Sequence, residues 1–132
     1  MNIEIISIHN DPDGKDTKEK LNDEYILIKN NGDSSIDISS WKLTDYRPGQ
    51  KHIHIYVFPS NTSNTTNLIL KPNELVFVMT GTGTNNYISN PSEGKLPQYH
   101  LYQNKDWFIW NNDGDTACLY DANGNLVSQK KI

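Results

Sequence analysis

Cysteine is all but missing from this chain: Cys118 is the only one in 132 residues. An intramolecular disulfide is therefore excluded, and with it the stapled scaffold of small secreted domains. A catalytic thiol would want a partner histidine or a helix N-terminus, and the residues around Cys118 supply neither. It reads instead as a small apolar residue buried in a strand. Arginine is as scarce. Arg47 stands with eleven lysines against 16 acidic residues, for a formal net charge of −4. Neutralising phosphates supplies most non-specific affinity for nucleic acid, so no nucleic-acid partner is expected. Long hydrophobic runs are missing too. Nothing approaches the roughly 20 apolar residues of a membrane span. There is also no signal peptide or lipidation motif, so membrane insertion by this chain is not expected. If the parent protein is exported, the chain is expected to be a piece of it, with Met1 not a native start.

Hydrophobic residues make up only 35% of the chain, and the mean hydropathy is −0.70. That is low for a compact α/β enzyme. It suits a thin sandwich with one polar face per sheet and long solvated loops. The length fits one domain over residues 1–132, large enough to bury a core without staples, which chains below roughly 70–80 residues usually need. No sustained helical periodicity and no internal repeat is visible.

What is present is strand and turn chemistry. Residues 112–115, Asn-Asp-Gly-Asp, form a turn. Thr116 to Tyr120 alternates, and Asn123-Gly124 is the strongest short hairpin signal, so a closing hairpin is expected. Ile3 to Ile8 reads as a first strand. Tyr25 to Lys29 is apolar on both faces, which implies a central strand. Ile36 and Ile38 have one parity and Trp41 and Leu43 the other. A bulge or corner at Ser39-Ser40 would turn both pairs inward, with Trp41 as core anchor. His52 to Phe58 alternates strictly, with Ile53, Ile55 and Val57 on one face. Leu75 to Met79 and the aromatic run Trp107 to Trp110 read as further strands, and residues 85–100 as a long loop. Ser60 to Asn67 is a polar loop with two N-x-[ST] patterns, at Asn61 and Asn64, which matter only in a glycosylating compartment. The sum is all-β, with seven to nine strands.

Constellations that carry chemistry are thin. Asp11, Asp13 and Asp16 share one loop, and alternating carboxylates are what calcium seeks, although the spacing is not that of an EF-hand. Asp113, Asp115, Asp121, Asn123 and Asn125 are better explained as two ordinary turns. His52 and His54 are an i, i+2 pair able to chelate zinc only if a third ligand arrives, with His9 and His100 far away in sequence. Gly81 and Gly83 form a G-x-G without the third glycine or following helix of a dinucleotide loop. No nucleophile has a base at hand, so no catalytic residue is assigned. Tyr99, Tyr102, Trp107 and Trp110 are the candidate binding surface. Exposed, they would stack sugars or anchor a protein partner. Covered by residues 85–100 they are core, the outcome favoured for short aromatic strands in sandwiches.

Taken in order, Asn22-Asp23-Glu24-Tyr25, the turn at Asn30-Asn31-Gly32, Ser39-Ser40-Trp41-x-Leu43, Pro72-Asn73-Glu74 and Trp110-Asn111-Asn112-Asp113-Gly114-Asp115-Thr116-Ala117 resemble the prokaryotic branch of the lamin-tail domain family, from about Ile3 to Val127. The resemblance implies an immunoglobulin-like two-sheet antiparallel sandwich. It implies a non-catalytic interaction or tethering module, attaching a larger protein or neighbouring domain to a protein or cell-surface partner. An extracellular or cell-surface location goes with it. The alternative is a carbohydrate-binding module using the Trp107/Trp110 stretch. No cofactor is implied beyond weak calcium. Calorimetric titration is expected to give a calcium affinity no tighter than about 10⁻⁴–10⁻³ M, lost in Asp13→Ala. Submicromolar affinity would make the loop a dedicated metal site.

Overall fold

Short alternating stretches of β-branched and aromatic residues pair into eleven strands among the residues described by the computed structural model, namely 2–9, 18–46, 53–105, 109–110 and 115–132. Strand β1 (Ile3–His9) is followed by a 3-10 turn (Lys18–Asp23), then β2 (Tyr25–Asn30), β3 (Ile36–Asp37), β4 (Lys42–Tyr46), β5 (Ile55–Val57), β6 (Ile69–Leu70), β7 (Leu75–Met79), β8 (Asn86–Ile88), β9 (Gln98–Tyr102), β10 (Thr116–Tyr120) and β11 (Leu126–Lys131). They form a five-stranded sheet in the order β1-β2-β7-β9-β8, a four-stranded sheet in the order β11-β10-β4-β5, and a small β3-β6 pair. No described helix is long and apolar enough to cross a membrane.

The count exceeds the expected seven to nine because β3, β6 and β8 span only two or three residues each. Such bridges are too short to leave an alternating pattern. Two further expectations change. Residues 85–100 are not one long loop, since β8 and the start of β9 lie there. The sandwich is not wholly antiparallel either. The chain passes beyond the sheet edge to lay down β8 and returns inside it, so β9 runs parallel to β7 while β8 and β9 are antiparallel. Of the expected strand from Trp107 to Trp110, residues 109–110 belong to no strand, and Trp107 and Phe108 lie outside the described residues.

Period-two alternation decides what is inside. Ile26 and Ile28 on β2, Val76 and Val78 on β7 and Leu101 on β9 face Leu43 on β4 and Ala117 and Leu119 on β10 in one core. β2 is central, paired with β1 on one side and β7 on the other. The closing hairpin is as expected: β10 pairs with β11 across a turn in which Gly124 has φ 86°.

The corner at Ser39-Ser40 does what the parity of its neighbours requires. Ser40 adopts φ 65°, in the left-handed region. The Asp37 carboxylate accepts from the Ser39 amide at 2.9 Å and from the Ser39 hydroxyl at 2.6 Å. These bonds hold the Asp37 carboxyl below its usual pKa. The amide of Trp41 donates to Ile38 O at 3.2 Å, closing the turn. As a result Ile38, Trp41 and Leu43 are all buried in the same core. Trp41→Ala is expected to destabilise the fold by about 3–5 kcal/mol, the range for a large buried aromatic. Urea denaturation followed by tryptophan fluorescence reads this directly, and an unchanged midpoint would remove Trp41 from the core.

Candidate functional site

The aromatic residues singled out in the sequence do not form one exposed platform. Tyr99 and Trp110 are buried members of the core. The Tyr99 hydroxyl donates to Ile69 O at 2.8 Å, and burial is the main cause that pushes its pKa up. Tyr102 is half-buried. A Cβ at Gly83 would lie 2.5 Å from its ring, and one at Gly81 would lie 2.5 Å from Asn22 Oδ1. The two glycines of the G-x-G are therefore set by close approach of neighbouring side chains, not by a phosphate. Trp107 lies outside the described residues.

The metal candidates are not brought together either. Asp11, Asp13, Asp16, His52 and Asp113 lie outside the described residues, and among the described residues no group of three His, Cys, Asp or Glu gathers. His54 instead donates through Nδ1 to Asp45 Oδ2 at 2.8 Å. Asp121 accepts the amides of Asn123 and Asn125, each at 2.9 Å, which is turn chemistry; these bonds, that of Asn125 first, keep its pKa low. Cys118 is buried, and desolvation pushes its thiol pKa up, away from nucleophilic character.

A different surface stands out. Five large apolar side chains, Ile53, Ile55, Val57, Tyr46 and Leu126, are 50–55% exposed. Pairing places them on one face of the sheet. Val57 lies opposite Lys42, which lies opposite Tyr120, which lies opposite Leu126. In the next row Ile55 lies opposite Thr44, and Thr44 opposite Cys118. Tyr46 lies opposite Thr116. Directly opposed residues share a face, so this is the outer face of the four-stranded sheet. Ile53 continues the alternation of β5 at its start.

Sequence reasoning saw the alternation from His52 to Phe58 without seeing which set is inside. Both sets carry large apolar side chains, and the aromatic pair Tyr56 and Phe58 takes the interior. Phe58 is buried, Tyr56 packs against the core, and their rings meet edge to face at 5.2 Å. Burial pushes the Tyr56 hydroxyl pKa up. The isoleucine and valine set is left facing solvent. This exposed, largely apolar face is the candidate interaction surface.

A family model described as Lamin Tail Domain matches residues 1–132, the whole chain. The chain belongs to the lamin tail domain family. That places it among immunoglobulin-like modules that are in general non-enzymatic and bind proteins. No curated protein matches the chain.

The residues that carry the lamin-tail resemblance hold the sandwich together. Glu24, buried at the start of β2, accepts from the Thr80 hydroxyl at 2.7 Å, from the Ile109 amide at 3.0 Å and from the Trp110 amide at 3.4 Å. It thereby ties the end of β7 to the segment leading into β10. Glu74 accepts the Lys71 amide at 2.9 Å and the Tyr87 hydroxyl. Asn30 donates to Leu70 O and Ser34 O, each at 2.9 Å, and accepts the Gly32 amide at 2.9 Å. Each buried polar group meets partners that would otherwise be stranded away from water. Glu24→Ala is expected to lower the unfolding free energy by about 2–4 kcal/mol, because it strands a buried hydroxyl and two amides. Urea denaturation measures it; a loss within about 0.5 kcal/mol, the scale of ordinary surface changes, would remove Glu24 from the frame.

Proposed function

We propose that this lamin-tail domain is a non-catalytic tether that attaches a larger protein or neighbouring domain to a protein partner at the cell surface. Contact is made by the outer face of the four-stranded sheet. The observation that carries this reading is the gathering of Ile53, Ile55, Val57, Tyr46 and Leu126 on that one face. Full burial of a large apolar side chain contributes about 1.5–3 kcal/mol, and these side chains, half exposed, forgo roughly half of that. A partner that covers them recovers it.

The outer face of the five-stranded sheet is a weaker candidate. Its ring ladder of His9, Tyr25, Phe77 and His100 has centroid separations of 4.8, 5.3 and 5.4 Å in turn. The interplanar angles run from 11° to 74°, so the rings pack on one another and offer no flat platform for a sugar. With Tyr99 and Trp110 in the core, no observation favours the carbohydrate reading over the protein one.

A photo-crosslinking amino acid in place of Tyr46 or Leu126, introduced in cells that make the protein, tests the tether. The expected result is a discrete protein adduct from both positions and none from a control at Asn123, an exposed turn residue. Adducts from Asn123 alone, or none from the sheet face, would move the contact elsewhere.

A further inference from the structure

The two sheets have four edge strands, and three of them are closed. In the five-stranded sheet the outermost strands are β1 and β8, and in the four-stranded sheet β11 and β5. The β1 edge lies against β11, where the Ile5 amide donates to the Ser128 hydroxyl at 3.1 Å. That contact occupies β11 as well, and its outer end carries Lys130 and Lys131, the kind of charge that discourages further pairing. The β8 edge is capped by one side chain acting as a strand. Asn64 donates to Tyr87 O at 2.7 Å and accepts the Tyr87 amide at 2.8 Å.

Strand β5 has no such cover among the described residues. Its ladder to β4 fixes which groups are free. The Phe58 amide donates to Trp41 O at 2.8 Å, the Ser40 amide to Phe58 O at 3.1 Å and the Asp45 amide to His54 O at 3.4 Å. The His54 amide donates to the Asp45 carboxylate at 2.7 Å. Residues 54, 56 and 58 thus turn their backbone toward β4. In an antiparallel ladder alternate residues point the other way, so Ile55 and Val57 hold their N–H and C=O groups toward the open side. Neither is a lysine or a proline, the usual guards of an edge. The side chains of both residues lie on the apolar outer face.

Charge selects the occupant. No Asp or Glu occurs from Tyr46 to Asn73, in a chain that has 16 of them. On the outer face beside β5, Lys42 lies opposite Val57, and no paired position on that face carries a carboxylate side chain. An acidic chain therefore presents an apolar edge with a lysine, Lys42, beside it. Two copies of this edge meeting each other would bring like charges together.

Resting on the tether reading and naming its partner's chemistry, we propose that β5 accepts an extended segment of the partner protein, whose outward-facing side chains alternate between apolar and acidic, as a fifth strand of this sheet. Main-chain bonds to Ile55 and Val57 supply affinity, and the side chains on the outer face supply selectivity. The apolar side chains extend the Ile55 and Val57 stripe, while the carboxylates meet Lys42.

The probe is a fluorescein-labelled heptapeptide that alternates valine and glutamate on one face and carries threonine on the other, Val-Thr-Glu-Thr-Val-Thr-Glu. It is compared with the same peptide carrying lysine in place of glutamate, and with the glutamate peptide N-methylated at alternate residues so that it cannot complete a ladder. The expected result in anisotropy is binding of the glutamate peptide about tenfold or more tighter than either comparison peptide, the scale of one or two net hydrogen bonds or one charge contact. Lys42→Glu should reverse the charge preference. Val57→Pro removes an open-side N–H and leaves the β4 ladder intact, so binding should be lost with an unchanged thermal midpoint. Should that variant unfold, amide exchange in the unsubstituted protein decides instead, with Ile55 and Val57 protected by the glutamate peptide. Equal binding of the N-methylated peptide would overturn strand addition. Equal binding of the lysine peptide would overturn the charge selection. Concentration-dependent dimerisation in sedimentation, abolished by Val57→Pro, would make a second copy the occupant. Adducts from Tyr46 and Leu126 with no glutamate-peptide binding would overturn the strand while leaving the tether in place.

Discussion

The corner at Ser39-Ser40 sets the arrangement of everything around it. A strand that continued straight from Ile38 to Leu43 would throw one apolar pair into water, because side chains alternate with a period of two. The left-handed turn at Ser40, held by the Asp37 carboxylate, resets that alternation. Ile38 and Trp41 then reach the same core from the two sides of the turn. The corner also fixes the parity of β4, and through the β4–β5 ladder that of β5. Once Leu43 points inward, Tyr56 opposite it must do so as well, and Ile55 and Val57 must point out. The exposed stripe is thus a consequence of how the core is closed.

The polar residues of the lamin-tail resemblance belong to the same frame. Glu24, Asn30 and Glu74 are buried, and each collects amides, carbonyls or hydroxyls from segments distant in the chain. A buried polar group left without partners costs more than a hydrogen bond contributes. Such residues therefore specify a particular chain path. They say little about what the domain binds, and the surface that offers a contact is built from other positions altogether.

Edges divide the molecule in a way composition does not reveal. Three are closed by a neighbouring strand, by lysines or by the Asn64 amide. β5 carries only apolar side chains on its outward positions, in a stretch of sequence without carboxylates. The rest of the chain is rich in acid, so the contrast in charge is local. An overall charge of −4 therefore describes solubility and long-range steering better than it describes the contact surface.

The sequence by itself determined the all-β class, the family, the central position of Tyr25 to Lys29, the closing hairpin and the turn at Ser39-Ser40. Each rests on local pattern: alternation, turn residues, or two apolar pairs of opposite parity close together. Tertiary structure decided the rest. β3, β6 and β8 are set by pairing with distant segments, and the parallel join of β7 to β9 depends on where β8 lies. The side toward which Tyr99 and Trp110 point, and the glycines demanded by Tyr102 and Asn22, follow from packing across the chain. Above all, the strand from Ile53 to Phe58 is apolar on both faces. Alternation identifies the two faces of such a strand, but only the volume left between the sheets decides that the aromatic face goes in and the aliphatic face remains for a partner.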